Sequence, residues 1–142
     1  MWRSVLSKKQ SVAKPPDGTV FFLDRSLGVE PIRAELIKAG LVVEIHDDHF
    51  ARDEEDRVWL QRVGEFGWVV LTKDQRLRYR PLEIAALRTS KVRVFVLTAG
   101  NLRGVEIAAA FGTALPGICK VLRGQLGPFV ARVSKSGKIR IA

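Results

Sequence analysis

The chain has 142 residues, is 46% hydrophobic and carries a net charge of +9, with a pI near 10.3. That length suits one domain with a sizeable core, and no apolar stretch approaches the roughly 18–20 residues of a membrane span. One cysteine, Cys119, excludes an internal disulfide and agrees with a reducing, cytoplasmic setting, while the positive charge favours nucleic acid or another acidic partner over a role in solubility alone.

Residues 1–18 hold Arg3, Lys8, Lys9 and Lys14 without the apolar core of a secretory signal, and end in the turn Pro15-Pro16-Asp17-Gly18. They read as a basic arm ahead of a domain over 19–142. Thr19 to Asp24 is the first expected strand, an apolar run closed by an acid. Pro31 opens a helix with Ile32, Leu36 and Ile37 on its apolar face, and Gly40 stops it. Leu41 to Ile45 is a second strand. The polar segment His46 to Arg52 leads to a helix from about Asp53 to Val63, closed by Gly64 and Gly67. Trp68 to Thr72 is a third strand, an apolar, β-branched run of the kind buried on both faces. A short helix, Leu82 to Arg88, precedes a fourth strand, Val92 to Leu97. A long helix from Leu102 to Leu115 is expected to break at Pro116-Gly117 and resume over Ile118 to Arg123. Pro128 to Val133 and Lys138 to Ile141 alternate apolar with polar residues around Ser134-Lys135-Ser136-Gly137. They predict a hairpin with Val130, Ile139 and Ile141 toward the core and Arg132, Lys138 and Arg140 toward solvent.

Strands alternating with helices predict a three-layer α/β/α fold around a mostly parallel sheet, with the C-terminal β-hairpin appended. The first and third strands then deliver acids to one sheet edge: Asp24, and Asp74 within Thr72-Lys73-Asp74. Open α/β sheets place their ligands there. Asp56, Trp59, Leu60 and Val63 fall at i, i+3, i+4 and i+7, so Asp56 starts the inward stripe of its helix, with Asp53 one turn earlier as the substitute. Either this acid caps the helix or it meets Asp24 and Asp74. Three crowded carboxylates repel one another unless a hard cation, Mg2+ or Mn2+, lies between them. Such a cation lowers the pKa of a bound water and stabilises charge on a phosphate.

Phe22-Leu23-Asp24, Asp56 ahead of Trp59-Leu60, and Val70-Leu71-Thr72-Lys73-Asp74 resemble the PIN-like nuclease domains, and within them the VapC-like toxins of bacterial toxin–antitoxin pairs. The resemblance covers about residues 19–97. It implies a metal-dependent endoribonuclease held in check by a cognate antitoxin, with Asp24, Asp56 and Asp74 as metal ligands. A homodimer is compatible with it. Related sequences often carry a further acid two residues after the Thr-x-Asp aspartate, where this chain has Arg76; Glu106, Asp48 or a water are the substitutes.

Other residues have bland and functional readings side by side. Arg76, Arg78 and Arg80 with Tyr79 read as a phosphate-gripping segment or as a solvated loop. Thr72 can orient Asp74. Asn101 is a helix cap or a polar residue of the active edge. His46-Asp47-Asp48-His49 reads as a polar loop rather than a transition-metal site, since four consecutive side chains point in different directions. Trp59 and Trp68 read as core. Two further functions stay open from sequence: a non-catalytic nucleic-acid-binding or regulatory module, and a nuclease directed at DNA.

Overall fold

The computed structural model describes residues 14–78 and 80–141. Residues 1–13 of the basic arm, Tyr79 and the side chain of Arg78 lie outside the described residues.

Six strands form one sheet: β1 (Val20–Leu23), β2 (Val42–Ile45), β3 (Val69–Thr72), β4 (Arg93–Leu97), β5 (Phe129–Val133) and β6 (Ile139–Ile141). Their order is β2-β1-β3-β4-β5-β6. Every neighbouring pair is parallel except β5 with β6, so the expected mixed sheet with an appended hairpin is what the chain builds. Among the described residues the α-helices are α1 (Ile32–Lys38), α2 (Asp56–Phe66), α3 (Pro81–Ser90) and α4 (Gly104–Gly124). One face of the sheet packs Phe21, Leu23, Leu71 and Phe95 against α1 and α4. The other packs Phe22, Val70, Val94 and Val96 against Trp59, Leu60 and Val63 of α2 and Ala86 and Leu87 of α3. Successive strand residues therefore feed two cores, which is why β1 and β3 read as continuous apolar runs rather than alternating ones.

Strand order reverses on either side of β1: the chain goes from β1 to β2 on one flank and then crosses to β3 on the other. Such a switch point leaves a crevice beyond the carboxyl ends of β1 and β3.

Five features depart from the sequence expectations. Helix α2 begins at Asp56, after an extended Glu55, so Asp53 is exposed and precedes the helix. Helix α4 runs unbroken through Pro116 for 21 residues. Ile107, Phe111 and Ala114 anchor it to the core before the proline, and Ile118, Cys119 and Leu122 after it. This packing outweighs the local cost of a mid-helix proline, about 3 kcal/mol. By length and composition α4 also matches a membrane span, contrary to the expectation that no stretch does, but its apolar face is covered by the sheet and α1. In β5, Phe129, Ala131 and Val133 fill the α4-side core; Val130 packs on the opposite face, which it shares with Arg132, and Ile141 is 38% exposed. Finally, Arg103 rather than Asn101 caps α4, and Asn101 is an exposed turn residue with φ of +55°, a conformation asparagine tolerates better than most residues.

Candidate functional site

Asp24 follows β1 directly and is only 7% exposed, unusual for an acid without a cationic partner. Its partners come from a relay of hydroxyls. The backbone N–H groups of Lys73 and Asp74 donate to Ser26 Oγ (3.1 Å) and Thr72 Oγ1 (3.0 Å) respectively. Those two hydroxyls in turn donate to the same carboxylate oxygen, Asp24 Oδ2, at 2.8 and 2.7 Å. The turn after β3 and the turn after β1 are thereby locked to one another through a carboxylate. Thr72 is fully buried, as befits a residue whose hydroxyl is satisfied in both directions.

Burial is the dominant influence on Asp24 and raises its pKa above the ordinary carboxylate value. The Thr72 and Ser26 hydrogen bonds oppose that shift, and the negative charge of Asp56 adds to it. Asp56 occupies the first residue of α2, and its Oδ1 accepts a 2.9 Å hydrogen bond from Trp59 Nε1. Among the described residues no ion pair engages either Asp24 or Asp56. The charge of Asp56 thus adds to the cost of ionising a buried Asp24 that no side-chain cation pairs with among the described residues.

Asp74 behaves differently. Arg76 holds both of its oxygens: Nε donates to Oδ1 at 2.9 Å and the terminal Nη2 to Oδ2 at 3.1 Å, with the Arg76 backbone N–H on Oδ1 as well. Burial works against ionisation here, but the Arg76 bonds and charge, with Arg80 behind them, outweigh it and hold the carboxyl below its usual pKa. The chain therefore brings Asp24, Thr72 and Asp56 into mutual influence and commits Asp74 to Arg76. Among the described residues no three His, Cys, Asp or Glu converge closely enough to hold a metal ion. Asp24 and Asp56 offer the hard oxygen donors that a divalent cation takes, while Asp74 is held by Arg76.

The remaining candidates lie around this centre. Arg80 is exposed and pairs with Glu83 (3.5 Å). Glu106 pairs with Arg103 and Lys135 on the helix that covers the opposite face, and Asp48 is exposed in the turn after β2. His46 packs among Phe22, Phe50 and Trp59, whereas His49 bonds Glu44 at 2.6 Å, so the two histidines serve different surroundings.

Two residues of the site escaped the sequence reading. For Ser26 the Asp-x-Ser spacing is the one local signal in the sequence. Glu83 is 8% exposed, three residues after Arg80, and lines a cleft with Asp56, Arg80 and Leu82. A glutamate in the first turn of a helix opened by Pro81 reads as simple dipole complementation.

The relay makes a direct prediction. Thr72→Val keeps the shape but leaves the Asp74 N–H without its acceptor and Asp24 with one donor fewer. We expect a loss of about 2 kcal/mol in urea unfolding, as for a buried hydrogen bond to a charged group. A change below 0.5 kcal/mol would show that the hydroxyl carries little.

Comparison with known proteins agrees with this fold. Residues 19–99, more than half of the chain, match the family described as PIN like domain. A Mycobacterium tuberculosis (strain ATCC 25618 / H37Rv) protein named "Putative ribonuclease VapC45" is 27% identical over 124 residues, covering 84% of this chain and 89% of that protein. No solved structure gives a significant match.

Proposed function

Because the chain belongs to the PIN-like domain family, we propose that it is a metal-dependent endoribonuclease, the toxin of a toxin–antitoxin pair, acting in the cytoplasm. The observation that carries this reading is the pair of uncompensated acids at the switch point of the sheet, Asp24 and Asp56, with the Asp24 pKa raised. The ribonuclease name of the mycobacterial relative supports the choice of RNA.

Asp24 and Asp56 would hold Mg2+ or Mn2+, with Asp74 as a third donor once free of Arg76. Bound there, the cation supplies a water of lowered pKa and neutralises charge on the phosphate under attack. The chain's own residues do the positioning. Thr72 and Ser26 fix the Asp24 carboxylate, and Trp59 fixes that of Asp56. Arg78 and Arg80 follow along the segment that leaves the site and would suit the flanking phosphates, and Asn101 lies in the turn after β4. An antitoxin would act by covering this edge.

The bidentate Arg76–Asp74 pair favours a second reading, a non-catalytic module that binds nucleic acid on the same fold. One experiment separates them. Labelled RNA and DNA of one sequence are incubated with the protein and Mn2+, with and without EDTA. The nuclease reading expects RNA to be cut, DNA to be spared and EDTA to stop the reaction. RNA that is bound but never cut, with EDTA making no difference, would establish the second reading instead.

A further inference from the structure

The C-terminal hairpin lies outside the family match, yet it carries a cationic row aligned with the acids. Register places Thr72 beside Val96, Val96 beside Arg132, and Arg132 beside Arg140. Asp24, one residue past the Leu23–Leu71 pair, extends the same row beyond Thr72. In-register residues share a face, and Val96 and Val130 place this one on the α2 and α3 side, where Asp56 also begins. Two strand spacings put Arg132 roughly 10 Å from Thr72 along the row.

Like charges directly opposite on an antiparallel pair are unfavourable, and Arg132 faces Arg140. Lys138, two residues before Arg140, adds a third cation to that face. Among the described residues no carboxylate pairs with any of the three, whereas Lys135 in the same hairpin pairs with Glu106 at 3.7 Å. Arg132 also has a buried Nε without a hydrogen-bond acceptor, which is costly unless something fills the need. These groups, with Ser134 and Gln75, line a cavity of about 590 Å³. Gln75, next to Asp74 in sequence, closes the near side by donating to the Thr98 carbonyl at 3.0 Å. An oxygen-rich anion at this cavity would satisfy the Arg132 N–H and relieve the Arg132–Arg140 repulsion together.

We infer that Arg132, Lys138 and Arg140 form a phosphate subsite that holds the RNA backbone to one side of the bond cut at Asp24 and Asp56. This rests on the nuclease reading and adds where the substrate strand runs. The strand crosses the carboxyl edge of the sheet from β1 toward β6, over Thr72 and Gln75.

The test is the double variant Lys138→Ala/Arg140→Ala, both positions being exposed, with a fluorescent single-stranded RNA oligonucleotide as the probe. Affinity is measured in EDTA between 50 and 300 mM KCl, and cleavage at saturating RNA in Mn2+. The expected result is binding roughly tenfold weaker at 0.1 M salt, a salt slope smaller by about 1.4 for two lost phosphate contacts, and an unchanged maximal cleavage rate. The charge-conserving Lys138→Arg/Arg140→Lys should keep the wild-type slope. A double variant that binds RNA with the wild-type slope, beside a wild type that binds and cuts, overturns the subsite, leaves the nuclease standing and turns this face toward an acidic protein. A wild type that neither binds nor cuts RNA overturns both.

Discussion

Replacing Asp24 with asparagine is expected to give a protein that melts higher than wild type at pH 7 and no longer cuts RNA. Both effects follow from one fact: a carboxylate only 7% exposed, with another acid acting on it, is expensive to keep ionised. The amide fits the same space and still accepts from the Thr72 and Ser26 hydroxyls without the buried charge. The sign with pH is fixed by the raised pKa. Below the ordinary carboxylate pKa of 3.8 the aspartate is protonated both folded and unfolded, so the two proteins should be equally stable. As pH climbs through 3.8 the unfolded chain ionises first, and wild type loses stability relative to the variant until the folded carboxyl ionises as well. The gain should be roughly 1–2 kcal/mol at neutral pH, or several degrees of melting temperature for a chain of this size. Cleavage should fall about a thousandfold, the scale of removing one preorganised electrostatic group from a reacting centre. Melting curves at pH 3.5 and 7 beside a cleavage assay check both halves. A variant less stable than wild type at pH 7 would mean that Asp24 is structural.

Arg76→Ala should have the opposite sense for function. In the folded chain the guanidinium sits where a cation bound through Asp74 would have to compete, so its removal frees a third carboxylate. The expected result is a Mn2+ requirement about tenfold lower, or about 1.4 kcal/mol. The stability effect should be small. Arg76 is 58% exposed, and a pair of that exposure contributes at most about 1 kcal/mol. Since Arg76 holds the Asp74 pKa down, its contribution is present above pH 3.8 and disappears as pH falls through the lowered folded value. The variant should therefore be slightly less stable at pH 7 and equal to wild type in strong acid. Titrating Mn2+ in a cleavage assay at fixed RNA gives the answer. An unchanged Mn2+ requirement with a raised KM for RNA would assign Arg76 to the substrate instead.

Much of this fold was legible because burial on both faces leaves a plain mark. Phe21 to Leu23 and Val69 to Leu71 are apolar at every position because alternate residues enter different cores. The acids that close these strands, and the hairpin at the end, could be placed from pattern alone. What the pattern could not show is contact between distant turns. Ser26 and Thr72 are 46 residues apart, and only the folded edge brings both hydroxyls to Asp24. The unbroken α4 was hidden for a related reason: the packing of Phe111 and Ile118 that overrides Pro116 is tertiary. The Asp74–Arg76 pair spans only two residues, but the same spacing suits an arginine turned toward a substrate. Val130 reaches a core as expected, but the one on the α2 and α3 side, because β5 is buried on both faces and its alternation does not separate inside from outside.

The measurement that bears most directly on the Asp24–Asp56 centre is the rate of RNA cleavage against Mn2+ concentration for wild type and Asp56→Asn. The amide oxygen of asparagine can still accept from Trp59 Nε1, so the substitution removes charge while keeping the local hydrogen bond. Wild type should show saturable, Mn2+-dependent cutting that the variant loses by two to three orders of magnitude at the same Mn2+ concentration. Cutting by Asp56→Asn at the wild-type rate, with the same Mn2+ dependence, would contradict the account.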